Sequence, residues 1–174
     1  MKSVISRLSA LALVLFFAMP LRAQGGTPSP LSVTVENRTA QAEAARGSTR
    51  RDATARPGDV LRYRLAFRNP GSSPIRGVTL ANPLAGGMRL VDASTRASRT
   101  DARVEFSADG GRTFAAQPSE MVTNEQGQRV RRPIPAERFT HVRWTVDGQV
   151  APGATVTAEF DARVAGAPAP AARP

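Results

Sequence analysis

The sequence predicts an all-β sandwich of about seven or eight short antiparallel strands. Three observations carry that prediction. Apolar residues alternate with polar ones in several short runs, the pattern of strands with one face in a core. Pro-Gly, Asn-Pro-Gly and Asp-Gly-Gly turns punctuate those runs. No stretch carries the apolar stripe of an amphipathic helix. A closed barrel satisfies the same pattern.

The chain opens with "MKSVISRLSALALVLFFAMPLRAQ". Lys2 and Arg7 precede an apolar run from Leu8 to Met19, followed by the helix-breaking Pro20 and the small residue Ala23. This is the layout of a secretory leader spanning residues 1–23. The run is shorter than the roughly 20 residues that cross a bilayer, and nothing similar follows it. The expected product is an exported chain, periplasmic or extracellular, that does not span the membrane after cleavage.

Residues 24–30 read as a flexible linker, and residues 31–164 as the β domain. In "LSVTVEN" Leu31, Val33 and Val35 alternate with Ser32, Thr34 and Glu36, which predicts a strand buried on one face. The following "RTAQAEAARGSTRRDATA" is polar and alanine-rich. Its alanines support a short helix at most, and without an apolar stripe it reads as a solvated connection. In "RPGDVLRYRLAFRNPGSSP" the Pro57-Gly58 turn launches a strand. Leu61, Tyr63, Leu65 and Phe67 point to one face, and Arg62, Arg64, Ala66 and Arg68 to the other. Asn69-Pro70-Gly71 ends it.

Val78 and Leu80, then Met88 and Leu90 after Gly86-Gly87, extend the predicted core. Val104 and Phe106 point inward, with Arg103 and Glu105 outward. The polar excursion 117–137 is expected to hold a small hairpin around "NEQGQ". Val142, Trp144 and Val146 form the next inward face, and Val156, Ala158, Phe160, Ala162 and Val164 the last. Residues 165–174, "AGAPAPAARP", form an Ala/Pro-rich tail expected to be disordered.

Loss of the leader removes Lys2, Arg7 and Arg22, so the formal charge falls from +10 to +7 and every remaining cation is an arginine. A positive field favours association with anionic polymers or headgroups. No aromatic stacking run accompanies the arginines, so nucleic acid is not an expected partner. The absence of cysteine excludes disulfides and thiolate metal sites.

"SADGGRTF", Ser107 to Phe114, resembles the Asp box of sialidase-type β-propellers. One copy makes no propeller, and the motif's chemistry is that of a turn, in which the aspartate accepts from backbone amides and the glycines take positive φ. Enzyme readings find little support, so no catalytic residue, cofactor or metal is assigned. His141, the single histidine, falls on an outward strand position. There is no Gly-x-Ser-x-Gly elbow, Gly-x-Gly-x-x-Gly or P-loop sequence. Asp101, Glu105 and Asp109 are a calcium candidate should they converge at one sheet end, but their spacing is not that of an EF-hand loop and ordinary surface acids are the favoured explanation. Asn37-Arg38-Thr39 fits a glycosylation acceptor by pattern alone. The outward face of Arg62, Arg64 and Arg68 is the candidate contact for an anionic surface, the alternative being a solvated face that resists edge pairing.

"RPGDVLRYRLAFRNPGSSPIRGVTLANPLAGGMRLV" resembles a bacterial conserved-repeat domain of unknown function, number eleven in its series. Pro57, Gly58, Asp59, Tyr63, Asn69, Gly71, Val78, Asn82 and Leu84 match the pattern. "VEFSADGGRTF" and "THVRWTVDGQVAPGATVTAEFDARV" resemble the downstream half of longer members, so the resemblance covers about residues 56–164. Asn82 replaces the usual aspartate, and Ala85 the usual proline. The resemblance implies an immunoglobulin-like or transthyretin-like sandwich in exported proteins with adhesive or structural parts, and no reaction.

The expected function is therefore a non-enzymatic, envelope-associated or extracellular interaction module. Its expected partner is a cell-envelope protein or an anionic envelope polymer. The alternative is a glycan-binding or carbohydrate-active accessory protein using the arginine face and the 117–137 loop.

Overall fold

Two strands far apart in sequence form the spine of the structure. In the computed structural model, which describes residues 29–48 and 54–166, β2 (Val60–Arg68) runs antiparallel to the last strand, β10 (Thr155–Val164). The leader 1–23 and all but the first two residues of the tail lie outside the described residues. Between the spine strands come β3 (Thr79–Pro83), β4 (Met88–Leu90), β5 (Arg96–Ala97), β6 (Ala102–Ser107), β7 (Ser119–Thr123), β8 (Arg129–Pro133), a 3₁₀ turn (Ala136–Arg138) and β9 (His141–Val146). Ahead of the spine lie β1 (Leu31–Asn37) and α1 (Arg38–Ala45).

The protein is all-β with antiparallel sheets. One sheet is ordered β1-β2-β10-β4, with β5 also on β10, and a second is ordered β3-β9-β6. β7 and β8 pair only with each other. The described residues thus hold ten strands against the seven or eight expected, partly because the edge opposite β1 is split in two. β4 and β5 lie in tandem along β10, and Ser94 in the turn between them replaces missing backbone partners. Its hydroxyl accepts from the Asp161 N–H at 3.1 Å and donates to the Val91 carbonyl at 2.6 Å.

The alternations read from the sequence meet in one core. Leu65, Val156, Ala158, Phe160 and Ala162 from the first sheet cluster with Leu80, Val142, Trp144 and Val146 from the second. Trp144 and Phe160 approach to 6.1 Å between ring centroids, and Tyr63 stacks on Phe160 at 4.8 Å. Burial of these apolar faces is the main favourable contribution to folding.

β1 departs from expectation. Its strand and register are as the alternation requires, with Val33 opposite Leu65 and Val35 opposite Tyr63. Its apolar face is nonetheless open: Leu31, Val33 and Val35 are 37%, 47% and 51% exposed. The reason is position, since β1 is the terminal strand of its sheet and the core cluster does not extend to it. The connection after β1 forms the helix α1, which buries no residue. Asn37 caps it by accepting from the Ala40 N–H at 2.9 Å, while its amide nitrogen donates to Asp59 at 2.8 Å. The Asn37 side chain is thereby engaged at both ends.

Candidate functional site

The Asp box closes a hairpin-like turn between β6 and the following chain. Phe106 and Ala115 exchange backbone hydrogen bonds at 2.8 and 3.0 Å, and the turn is wound on the Asp109 carboxylate between them. One oxygen of Asp109 accepts from the Arg112 and Thr113 amides at 3.1 and 3.0 Å and from the Ser107 hydroxyl at 2.7 Å. The other accepts from the Thr113 hydroxyl at 2.6 Å. Gly111 is required by both angle and space: its φ is +83°, and a Cβ would lie 3.2 Å from the His141 ring. His141 therefore sits beneath the turn, edge-on to Phe114.

Every donor around Asp109 favours its charged form. The Thr113 hydroxyl and amide, then the Ser107 hydroxyl, hold its carboxyl far below the usual carboxylate range. The Arg99 guanidinium likewise brings Asp101 from 3.8 down to about 2, with help from the Gly148 amide. Both folded values lie below the unfolded value, so protonation favours the unfolded chain. The stabilisation is complete above about pH 4 and is lost as pH falls through the folded values. Thermal melts from neutral pH downward are expected to show a falling midpoint in that acid range. Asp109→Asn should start from a lower midpoint at neutral pH and fall less on acidification. An Asp109→Asn midpoint equal to wild type at pH 7 would remove the turn role.

The three acids considered for calcium are held apart by partners of their own. Asp101 binds Arg99 at 2.6 Å, Glu105 binds Arg143 at 2.8 Å, and Asp109 is enclosed in its turn. Among the described residues no three His, Asp or Glu groups lie close enough together to hold a metal ion.

The candidate arginine face is partly neutralised across the sheet. Register places Arg62 opposite Asp161 and Arg64 opposite Glu159. Arg62 binds Asp161 through two bonds, at 2.8 and 3.0 Å, and these push its guanidinium further above its ordinary value. Arg64 pairs with Glu159. Arg68, at the end of β2 opposite Thr155, holds no carboxylate among the described residues. The structure thus keeps the three arginines on one face but, among the described residues, pairs only two of them with carboxylates.

A second arginine group lies on the hairpin of β7 and β8, which "NEQGQ" turns as expected. The Asn124 side chain accepts from the Gln126 and Gln128 amides at 3.1 and 2.8 Å. Glu120 anchors the hairpin base by binding Arg132 at 2.9 Å and Arg138 at 2.8 Å, which holds its carboxyl below the ordinary value. Arg129 and Arg131 point away from that anchor, opposite Thr123 and Met121, exposed and without a carboxylate partner among the described residues. Sequence reading marked this loop, but only strand parity separates the anchored Arg132 from Arg129 and Arg131.

Clefts flank the hairpin. One of about 550 Å³ runs between Leu90, Phe106, Pro118, Pro133 and Phe139. The other, of about 440 Å³, is lined by Phe114, Gln117, Ser119, Arg131 and Arg138. The Arg143 guanidinium lies 3.9 Å from the centre of the Phe114 ring and fixes that wall. No family model and no curated protein matches the chain.

Proposed function

We propose that the chain is a non-enzymatic, exported interaction module that contacts an anionic envelope polymer, acting in the periplasm or outside the cell. Export rests on the leader pattern of residues 1–23. An immunoglobulin-like or transthyretin-like sandwich of the conserved-repeat type is the reading of the fold that suits two antiparallel sheets sharing one core. The observation that carries the functional reading is the hairpin, which pairs with neither sheet and presents two exposed arginines, Arg129 and Arg131, without a carboxylate partner among the described residues, Arg131 lining a cleft. Arg62 and Arg64 already hold carboxylates, so an incoming anion gains less from them.

A second reading, a glycan-binding accessory protein, is favoured by the Phe114 ring, Ser119 hydroxyl and Arg131 guanidinium lining one cleft. Retention on purified anionic envelope polymer separates the readings. Coulombic binding should weaken sharply as salt rises from about 0.1 M to 1 M, where the Debye length shrinks from about 10 to 3 Å. The double variant Arg129→Gln/Arg131→Gln should lose most retention while keeping its melting temperature. The triple variant Arg62→Gln/Arg64→Gln/Arg68→Gln should lose less. The reverse order would place the contact on β2, and salt-insensitive retention of neutral glycan would favour the second reading.

A further inference from the structure

The β1 edge is built differently from the other edge of its sheet. On that far side β4 and β5 are three and two residues long, and the turn between them interrupts pairing. Short, interrupted edges resist addition of another strand. β1 is seven residues long, is terminal in its sheet, and contains neither proline nor a cation. Among the described residues no strand pairs with its outer side, and it exposes three aliphatic side chains on the core side of the sheet.

Hydrogen-bond parity shows which backbone groups are free. Leu31 stands opposite Phe67, so Pro30 stands opposite Arg68, and the Arg68 N–H donates to the Pro30 carbonyl at 2.9 Å. In an antiparallel pair bonded and non-bonded positions alternate. Ser32, Thr34 and Glu36 therefore bond to β2, whereas Val33 and Val35 aim their N–H and C=O groups outward. The residues with free backbone groups are the same ones that carry the apolar stripe.

We infer that this edge docks a second copy of the chain, β1 against β1, antiparallel about a two-fold axis at Thr34. The inference stands apart from the hairpin reading and uses none of its residues. In this register Val33 of each copy meets Val35 of the other, and these pairs exchange backbone hydrogen bonds on both sides of the axis. Leu31 faces Asn37, Ser32 faces Glu36, and Thr34 faces itself. No like charges are opposed, whereas moving the axis to Glu36 would set two carboxylates against each other. The aliphatic stripes then form one band of six side chains along a continuous sheet. A self-complementary patch is what a two-fold dimer requires.

Sedimentation of the chain after export and leader removal should show a concentration-dependent dimer. Val33→Pro removes an outward N–H without disturbing the bonds to β2, and should raise the dimer dissociation constant by at least about tenfold. Val35→Lys should act in the same direction by placing a charge on the edge. At concentrations low enough that wild type is monomeric, both variants should melt as it does. Cysteine replacement reads the register directly, since the chain has no cysteine of its own. Thr34→Cys should oxidise to a covalent dimer, because opposed non-bonded positions lie about 4.5 Å apart at Cα, within disulfide reach. Ser32→Cys should not. A monomer at all concentrations, a dimer indifferent to Val33→Pro, or cross-linking through Ser32→Cys in preference to Thr34→Cys would each overturn the inference.

Discussion

Trp144→Ala is expected to destabilise the protein by roughly 3–5 kcal/mol, the range for removing a buried large aromatic side chain. Trp144 is 1% exposed on β9, the central strand of the second sheet. It lies between Leu80 and Val104 in register, with Phe160 across the core. Collapse into the resulting cavity is restricted because β3 and β6 pin the β9 backbone on both sides. A relaxed cavity would reduce the loss, so the upper part of the range fits this geometry. Small domains hold only about 5–15 kcal/mol in total, so the shift should be plain in a urea midpoint. An unchanged midpoint would contradict the placement of Trp144 in the core.

The same residue shows what was legible in the sequence. Val142, Trp144 and Val146 alternate with polar residues, and alternation reports which side chains share a face. It predicted the inward faces of β2, β9 and β10 because those strands lie in the interior of their sheets. In β1 the identical signal misleads. Leu31, Val33 and Val35 do share the core side, but their burial depends on what lies above them, and no local pattern encodes that.

Pairing across the sheet was similarly hidden. Arg62 and Asp161 are 99 positions apart, and their contact follows from the register of β2 on β10. Alternation puts both outward without showing that they are neighbours. Along the split edge the Ser94 and Ser98 hydroxyls accept from the Asp161 and Thr157 amides, which is not a pattern in sequence at all. By contrast, the Asp109 turn was readable because its partners are within four residues of it. Local chemistry was legible, and chemistry that depends on register was not. The candidate site divides the same way: the 117–137 hairpin was visible, but its free arginines emerged only from the pairing of β7 with β8.

Asn69→Ala should cost about 2–3 kcal/mol, since it removes several buried hydrogen bonds at once. Asn69 is 1% exposed just beyond β2, where the chain turns toward β3. Its amide nitrogen donates to the Ser73 and Val150 carbonyls, both at 3.0 Å, and its side-chain oxygen accepts from the Gly71 N–H at 3.0 Å. It thus ties the turn to the segment entering β10, whose Gly153 N–H donates to the Asn69 carbonyl at 2.9 Å. Alanine leaves the Gly71 donor and the Ser73 carbonyl without this partner. The Val150 carbonyl retains the Ile75 N–H at 3.1 Å, which keeps the loss moderate.

Asn69→Asp distinguishes this account from simple packing, because it preserves shape and removes the donors. A carboxylate there would face two carbonyl oxygens in a buried site, so its folded pKa should rise above the unfolded value. The folded chain would then hold the extra proton, and the variant should gain stability relative to wild type as pH falls through that raised value. At neutral pH Asn69→Asp should melt below Asn69→Ala, since an unpaired buried charge is worse than a missing hydrogen bond. Melts of both variants from pH 8 to pH 5 test this. If their order is reversed at neutral pH, or if the aspartate variant shows no relative recovery on acidification, Asn69 does not donate as the geometry states.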